Sequence, residues 1–167
     1  GIYIHIPYCK QACHYCNYHF STSLNNKESV INSMLKEIEI KSVGSNDLIQ
    51  TIYFGGGTPS FFATKEINKI INSIFEKFQI SENPEITLEA NPDDLSKAKL
   101  IELSQSYINR LSIGVQSFND DELKLMNRSH NSNDAKTCID NALKYYDNIS
   151  IDLIYGIPNM TLEKWHK

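Results

Sequence analysis

Five short apolar runs, separated by stretches of helical spacing, narrow the fold more than any other feature of the chain. The runs IYIHI at 2–6, TIYF at 51–54, EITLEA at 85–90, RLSIGV at 110–115 and ISIDLIYG at 149–156 are rich in Ile, Val, Leu or Tyr and end near Gly, Pro, Asn or Gln. Such runs bounded by turn residues read as strands. Between them apolar residues recur three or four positions apart: Val30, Met34, Leu35 and Ile38; then Ile67, Ile70, Ile71, Ile74, Phe75 and Phe78; then Leu95 to Tyr107; then Ala135, Ile139, Ala142, Leu143 and Tyr146. That spacing lays an apolar stripe along one side of a helix. Strands that alternate with helices pair in parallel, so the expected class is α/β, a parallel sheet with helices outside it, as a barrel or a doubly wound sheet. No glycine-rich dinucleotide fingerprint follows the first strand, which leans the reading toward the barrel.

Five strands do not close a barrel. The expectation is therefore one domain over residues 1–167, a partial (β/α) barrel that stops after about the fifth strand. TLEKWHK at 161–167 reads as the first turn of another helix, with Thr161 as its cap. Sixteen Lys and Arg against twenty Asp and Glu leave a formal charge of −4 with no basic run, which weighs against nucleic acid and anionic membrane as partners. No apolar run approaches the roughly 20 residues of a spanning helix, and no basic leader precedes an apolar stretch at the start. The expected location is the cytoplasm, without membrane insertion.

The stretch HIPYCKQACHYC, residues 5–16, places three of the four cysteines, Cys9, Cys13 and Cys16, within eight positions. A disulfide framework uses an even, dispersed set, so metal or cluster ligation is favoured. Structural zinc needs four ligands and would have to recruit His5, His14, His19 or Cys138. A redox pair formed by Cys13 and Cys16 leaves Cys9 unused. An iron–sulfur cluster with three protein ligands leaves one metal open, and an open position is what separates a reactive metal site from a structural one. Cys138, at helical spacing with Ile139 and Ala142, reads as a small core residue.

CKQACHYC resembles the C-x-x-x-C-x-φ-C motif of radical S-adenosylmethionine (SAM) enzymes, with Tyr15 as the aromatic φ. The resemblance implies a [4Fe–4S] cluster whose open iron is chelated by SAM, and a reduced cluster able to cleave SAM to a 5′-deoxyadenosyl radical. YIHIPYC, YFGGGTPS, LEANPDDL, RLSIGVQSFND and ISIDLIYGIP are similar to successive motifs of one branch, that of the oxygen-independent coproporphyrinogen III oxidases and the related HemW-type haem chaperones. It implies SAM contacts at Tyr3, at the backbone of Gly56, Gly57 and Thr58, and at Glu89, Gln116, Arg128 and Asp152, beside Tyr15. Independently of that likeness, Cys9, Gly56, Glu89, Gln116 and Asp152 fall at or beyond the C-terminal halves of five expected strands, ends that share one mouth in a parallel barrel.

The oxidases of this branch carry a further cysteine in a C-x-C pattern after the triad, whereas this chain reads Cys16-Asn17-Tyr18-His19. That departure favours the haem-chaperone reading, with haem as cargo of the full-length protein and an acceptor protein as partner. The alternative is a decarboxylase of coproporphyrinogen, and the third possibility a zinc-stabilised module without SAM.

Overall fold

The computed structural model describes residues 1–165. Strands β1 (Ile2–Ile6), β2 (Leu48–Gly56), β3 (Gln79–Ala90), β4 (Arg110–Gln116) and β5 (Ile149–Leu153) alternate with helices α1 (Lys27–Ser42), α2 (Thr64–Lys77), α3 (Lys97–Ser104), α4 (Asp120–Leu125) and α5 (Ser132–Ala142). The last helix, α6 (Leu162–Trp165), begins where Thr161 accepts from the Lys164 amide at 3.2 Å.

All four strand pairings are parallel and the sheet order is β1-β2-β3-β4-β5, without reversal. A doubly wound sheet would reverse its order at a switch point. Right-handed crossovers that always step the same way put their helices on one face, and the sheet is open, with β1 and β5 as its edges. The expectation of a partial parallel barrel is met.

Alternation along the strands separates two faces. Ile4, Ile6, Ile52, Phe54, Ile86, Leu88, Leu111, Ile113 and Val115 are buried and form the core with the helices. Against them α2 sets Ile67, Ile70, Ile71 and Ile74, all fully buried, each contributing about 1.5–3 kcal/mol of burial. The start of α2 is fixed by Glu66, which accepts from the Ala63 amide at 2.9 Å and pairs with Lys27 at 2.7 Å, tying α2 to α1. The opposite face carries Tyr3, His5, Tyr53, Thr87, Glu89, Arg110, Ser112 and Asp152, the polar partners in the same registers. Parallel strands are usually apolar on both faces, so this polar face marks where the chain departs from plain packing.

The expected strands fall within one or two residues of those observed, except that β3 starts at Gln79, β2 starts at Leu48 and β5 ends at Leu153, three residues short of Gly156. Polar Ser81-Glu82-Asn83-Pro84 hides that early part of β3, and the pairing shifts register between Ile49 and Thr51 to admit it. Helix α4 was not expected. It has six residues, too few for a readable stripe, and is started by Asn119, whose side chain accepts from the Asp121 amide at 2.9 Å.

Candidate functional site

One cavity of about 420 Å³ opens at the C-terminal ends of the strands, within the ~300–1,000 Å³ range of small-molecule sites. Cys9, Cys13, Cys16 and Tyr15 line it from the loop after β1; Gly56, Gly57 and Thr58 after β2; Glu89 from β3; Gln116 from β4; Asp152 from β5; and Arg128 from the α4–α5 turn. Of the residues expected to contact the cluster or SAM, Tyr3 alone does not line it. Its ring stacks on Tyr53, centroids 6.0 Å apart, one layer below the cavity floor.

The cysteine loop is held by polar contacts that no single motif announced. Gln11 Nε2 donates to the Asn127 carbonyl at 2.9 Å and to its Oδ1 at 2.7 Å, and Asn127 Nδ2 returns a bond to the Ala12 carbonyl at 2.8 Å. His14 donates its amide to Met126 O at 3.1 Å and its Nδ1 to Leu125 O at 3.0 Å. It is therefore a fastener of the loop. On the other side Lys10 pairs with Asp93 at 3.2 Å and with Asp94. Asp94 also accepts from Ser60 and Asp93 from Ser129, each at 2.8 Å. Burial would raise the Asp93 carboxyl, but the Ser129 hydroxyl and Lys10 outweigh it and hold it below the usual range. The turn Asn91-Pro92-Asp93-Asp94 thus joins the cysteine loop, the loop after β2 and the α4–α5 turn.

The thiols are free and half-buried. Burial pushes the Cys9 thiol up against the opposing hydrogen bond from Thr58. Among the described residues no three His, Cys, Asp or Glu side chains close round a single metal ion. Three thiolates that each bind a different iron of a cubane need not converge on one point, whereas structural zinc requires that they do.

The glycine run has an internal reason. Gly56 lies at φ +112 in the left-handed region, and a side chain there would meet the His5 ring at 2.6 Å; at Gly57 it would meet the Tyr8 carbonyl at 2.6 Å. The amides of Gly56, Gly57 and Thr58 are all engaged, by Glu89 Oε2 at 3.1 Å, Ile6 O at 2.8 Å and Tyr8 O at 2.7 Å. The Gly57 and Thr58 amides hold β1 and its loop against β2, the Gly56 amide ties β2 to β3, and these N–H groups are not free for a ligand.

Glu89 is partnered within the protein. Tyr53 donates its hydroxyl to Oε1 at 2.8 Å and Gly56 its amide to Oε2. Burial raises its carboxyl above the ordinary value despite those donors, and the nearby Asp152 charge adds to the rise. The same pair pushes the Tyr53 hydroxyl up to about 12, through burial and then Glu89. Asp152 is less occupied: Ser112 donates to Oδ2 at 3.3 Å, at the end of a chain that runs through Ser150 to Arg110. Gln116 has φ 69, a left-handed conformation that costs a residue with a side chain about 1–2 kcal/mol and turns the chain where β4 ends.

Arg128 joins three parts of the site. Nη2 donates to Gly114 O at 2.7 Å and to Asn91 Oδ1 at 2.8 Å; Nη1 lies 3.4 Å from Cys13 Sγ and 3.3 Å from the Tyr15 hydroxyl. Its Nε is buried without a partner among the described residues. An orphaned cationic donor beside open thiols fits a site built for an anionic group.

A family model described as the radical SAM superfamily matches residues 3–167. The haem chaperone HemW of Buchnera aphidicola (from Acyrthosiphon pisum) is 40% identical over 98% of this chain and 44% of its own length. HemW of Bacillus subtilis is 38% identical over 96% of the chain and 44% of its own length. Among solved structures, the coproporphyrinogen III oxidase HemN of Escherichia coli, a radical SAM enzyme, superimposes with TM-score 0.89 at 28% identity, over 99% of this chain and 39% of that one. The chain thus spans less than half the length of the relatives it matches.

Proposed function

The chain belongs to the radical SAM superfamily, and from that premise we propose that it is the cluster- and SAM-binding core of a cytoplasmic haem chaperone. The superfamily implies a [4Fe–4S] cluster and SAM. On this reading Cys9, Cys13 and Cys16 hold the cluster at three corners. Asp152, with one carboxylate oxygen lightly engaged, and Gln116 offer polar contacts to SAM, and the free Arg128 Nε offers one N–H to its carboxylate. Glu89 acts mainly by fixing Tyr53 and the Gly56 turn at the cavity wall. When bound and reduced, the cluster supplies the electron for cleavage of SAM. The protein's part is to hold the thiols in one frame, keep the cavity floor polar and orient SAM against the open iron.

The observation that carries the chaperone reading over the oxidase is Tyr18, in place of the second cysteine of the oxidases' C-x-C pattern. It lines the cavity mouth and is 71% exposed, and the HemW likeness at 40% identity agrees with it. Among the described residues no helix is long and apolar enough to cross a membrane. The deciding experiment compares, on the full-length protein under anaerobic reducing conditions, haem transfer to an acceptor protein with vinyl-product formation from coproporphyrinogen III. Haem transfer without decarboxylation is expected. Sustained decarboxylation with SAM consumed in step would instead establish the oxidase reading, which the likeness to HemN keeps as the alternative.

A further inference from the structure

We propose that Arg128 donates a hydrogen bond to the sulfur of Cys13 and so raises the reduction potential of the cluster; the inference rests on the reading of Cys9, Cys13 and Cys16 as cluster ligands. A guanidinium carries five N–H donors in a rigid fork. Here both N–H groups of Nη2 are spent, on Gly114 O at 2.7 Å and Asn91 Oδ1 at 2.8 Å. Those on Nη1 face Cys13 Sγ at 3.4 Å and the Tyr15 hydroxyl at 3.3 Å. One N–H, on Nε, is left unpartnered. A two-point clamp on a ligand carboxylate needs two adjacent free N–H groups. Arg128 cannot supply that clamp without giving up a bond it already makes.

Its placement is over-determined. The Arg128 amide bonds Leu123 O at 2.9 Å after the left-handed Asn127, φ 57. Asn91, which grips Nη2, is held in turn by Ser60 at 3.2 Å and Thr58 at 3.4 Å. Four segments of chain therefore aim one cationic N–H at one cysteine sulfur of the triad. A positive donor on a ligating sulfur stabilises the more negative, reduced cluster and raises its potential. A lysine keeps the charge but has no fork, so it cannot grip Asn91 and Gly114 while also reaching the sulfur.

The test uses the full-length protein reconstituted anaerobically with iron and sulfide. Midpoint potentials are measured by redox titration followed by electron paramagnetic resonance in wild type, Arg128→Lys and Arg128→Gln. Both variants are expected at more negative potential than wild type with unchanged iron content. A wild-type potential in Arg128→Lys would overturn the proposal, because charge alone would then account for the effect. Wild-type protein carrying ¹⁵N-arginine, with its cluster reduced, is expected to show a nitrogen coupling to the cluster by pulsed resonance; its absence overturns the proposal even if neither variant folds. Failure of the wild type to assemble any cluster would instead refute the ligand reading itself.

Discussion

Gln11 and Asn127, 116 positions apart in sequence, are joined at two points: Gln11 Nε2 donates to both the carbonyl and the Oδ1 of Asn127, at 2.9 and 2.7 Å. Asn127 sits at φ 57, a conformation asparagine tolerates better than most residues, and its Nδ2 returns to Ala12 O at 2.8 Å. The pair fixes the middle of the cysteine loop to the turn that carries Arg128. Asn127→Gly keeps the backbone conformation and removes the side-chain bonds. It should leave the global fold intact, destabilise by about 1–2 kcal/mol and lose iron faster to a chelator than wild type. Equal iron-release rates would show that the latch is irrelevant to the loop.

Glu89 gives a pH signature in the apoprotein. Its folded carboxyl is raised above the ordinary 4.5, chiefly by burial. The sign follows from linkage: its contribution to stability is fully present below the unfolded value and is lost as pH rises through the raised folded value. Glutamine does not titrate. From pH 4.5 upward the urea midpoint of wild type should therefore fall relative to that of Glu89→Gln. A pH-independent difference, or a shift in favour of wild type, would contradict the burial argument.

Asp152 should weigh directly on SAM. Asp152→Ala is expected to weaken SAM binding by about 1–3 kcal/mol, the range for losing hydrogen bonds to a charged group, with iron content unchanged. The measurement is isothermal titration of the anaerobic holoprotein. Wild-type affinity in the variant would remove Asp152 from the site.

The sequence made legible what periodicity and strong motifs encode. The βα alternation located all five strands, and the cysteine spacing located the loop. Cys9, Gly56, Glu89, Gln116 and Asp152 were expected to converge because they fall at or beyond the C-terminal halves of apolar runs, and all five do line one cavity. The fastening residues stayed hidden. Gln11, His14, Asn91 and Asn127 are single polar residues in turns, and such residues carry no period; their partners lie on distant segments. Asn91-Pro92 was the available signal for a rigid turn after β3. The glycine run also has an internal use that the sequence did not show, because the space it clears at Gly56 and Gly57 is taken by His5 and Tyr8 of the protein itself.

Cys138 should behave unlike the other three thiols. It is 4% exposed on α5, and burial pushes its thiol up to about 12. Thiolate is the reactive form, so iodoacetamide at pH 8 should label Cys9, Cys13 and Cys16 in the apoprotein and leave Cys138 unmodified until denaturant is added. Cys138→Ala should retain the full iron content. Labelling of Cys138 in the native protein at the rate of the other three would contradict its place in the core.

Whether Cys9, Cys13 and Cys16 hold a cluster is decided by the metal and sulfide content of anaerobically reconstituted protein, determined with zinc also offered. About four iron and four sulfide per chain are expected, one cubane, with a brown chromophore that is lost when any one of Cys9, Cys13 or Cys16 is changed to Ala. One tightly held zinc per chain, with no sulfide and no colour, would contradict it.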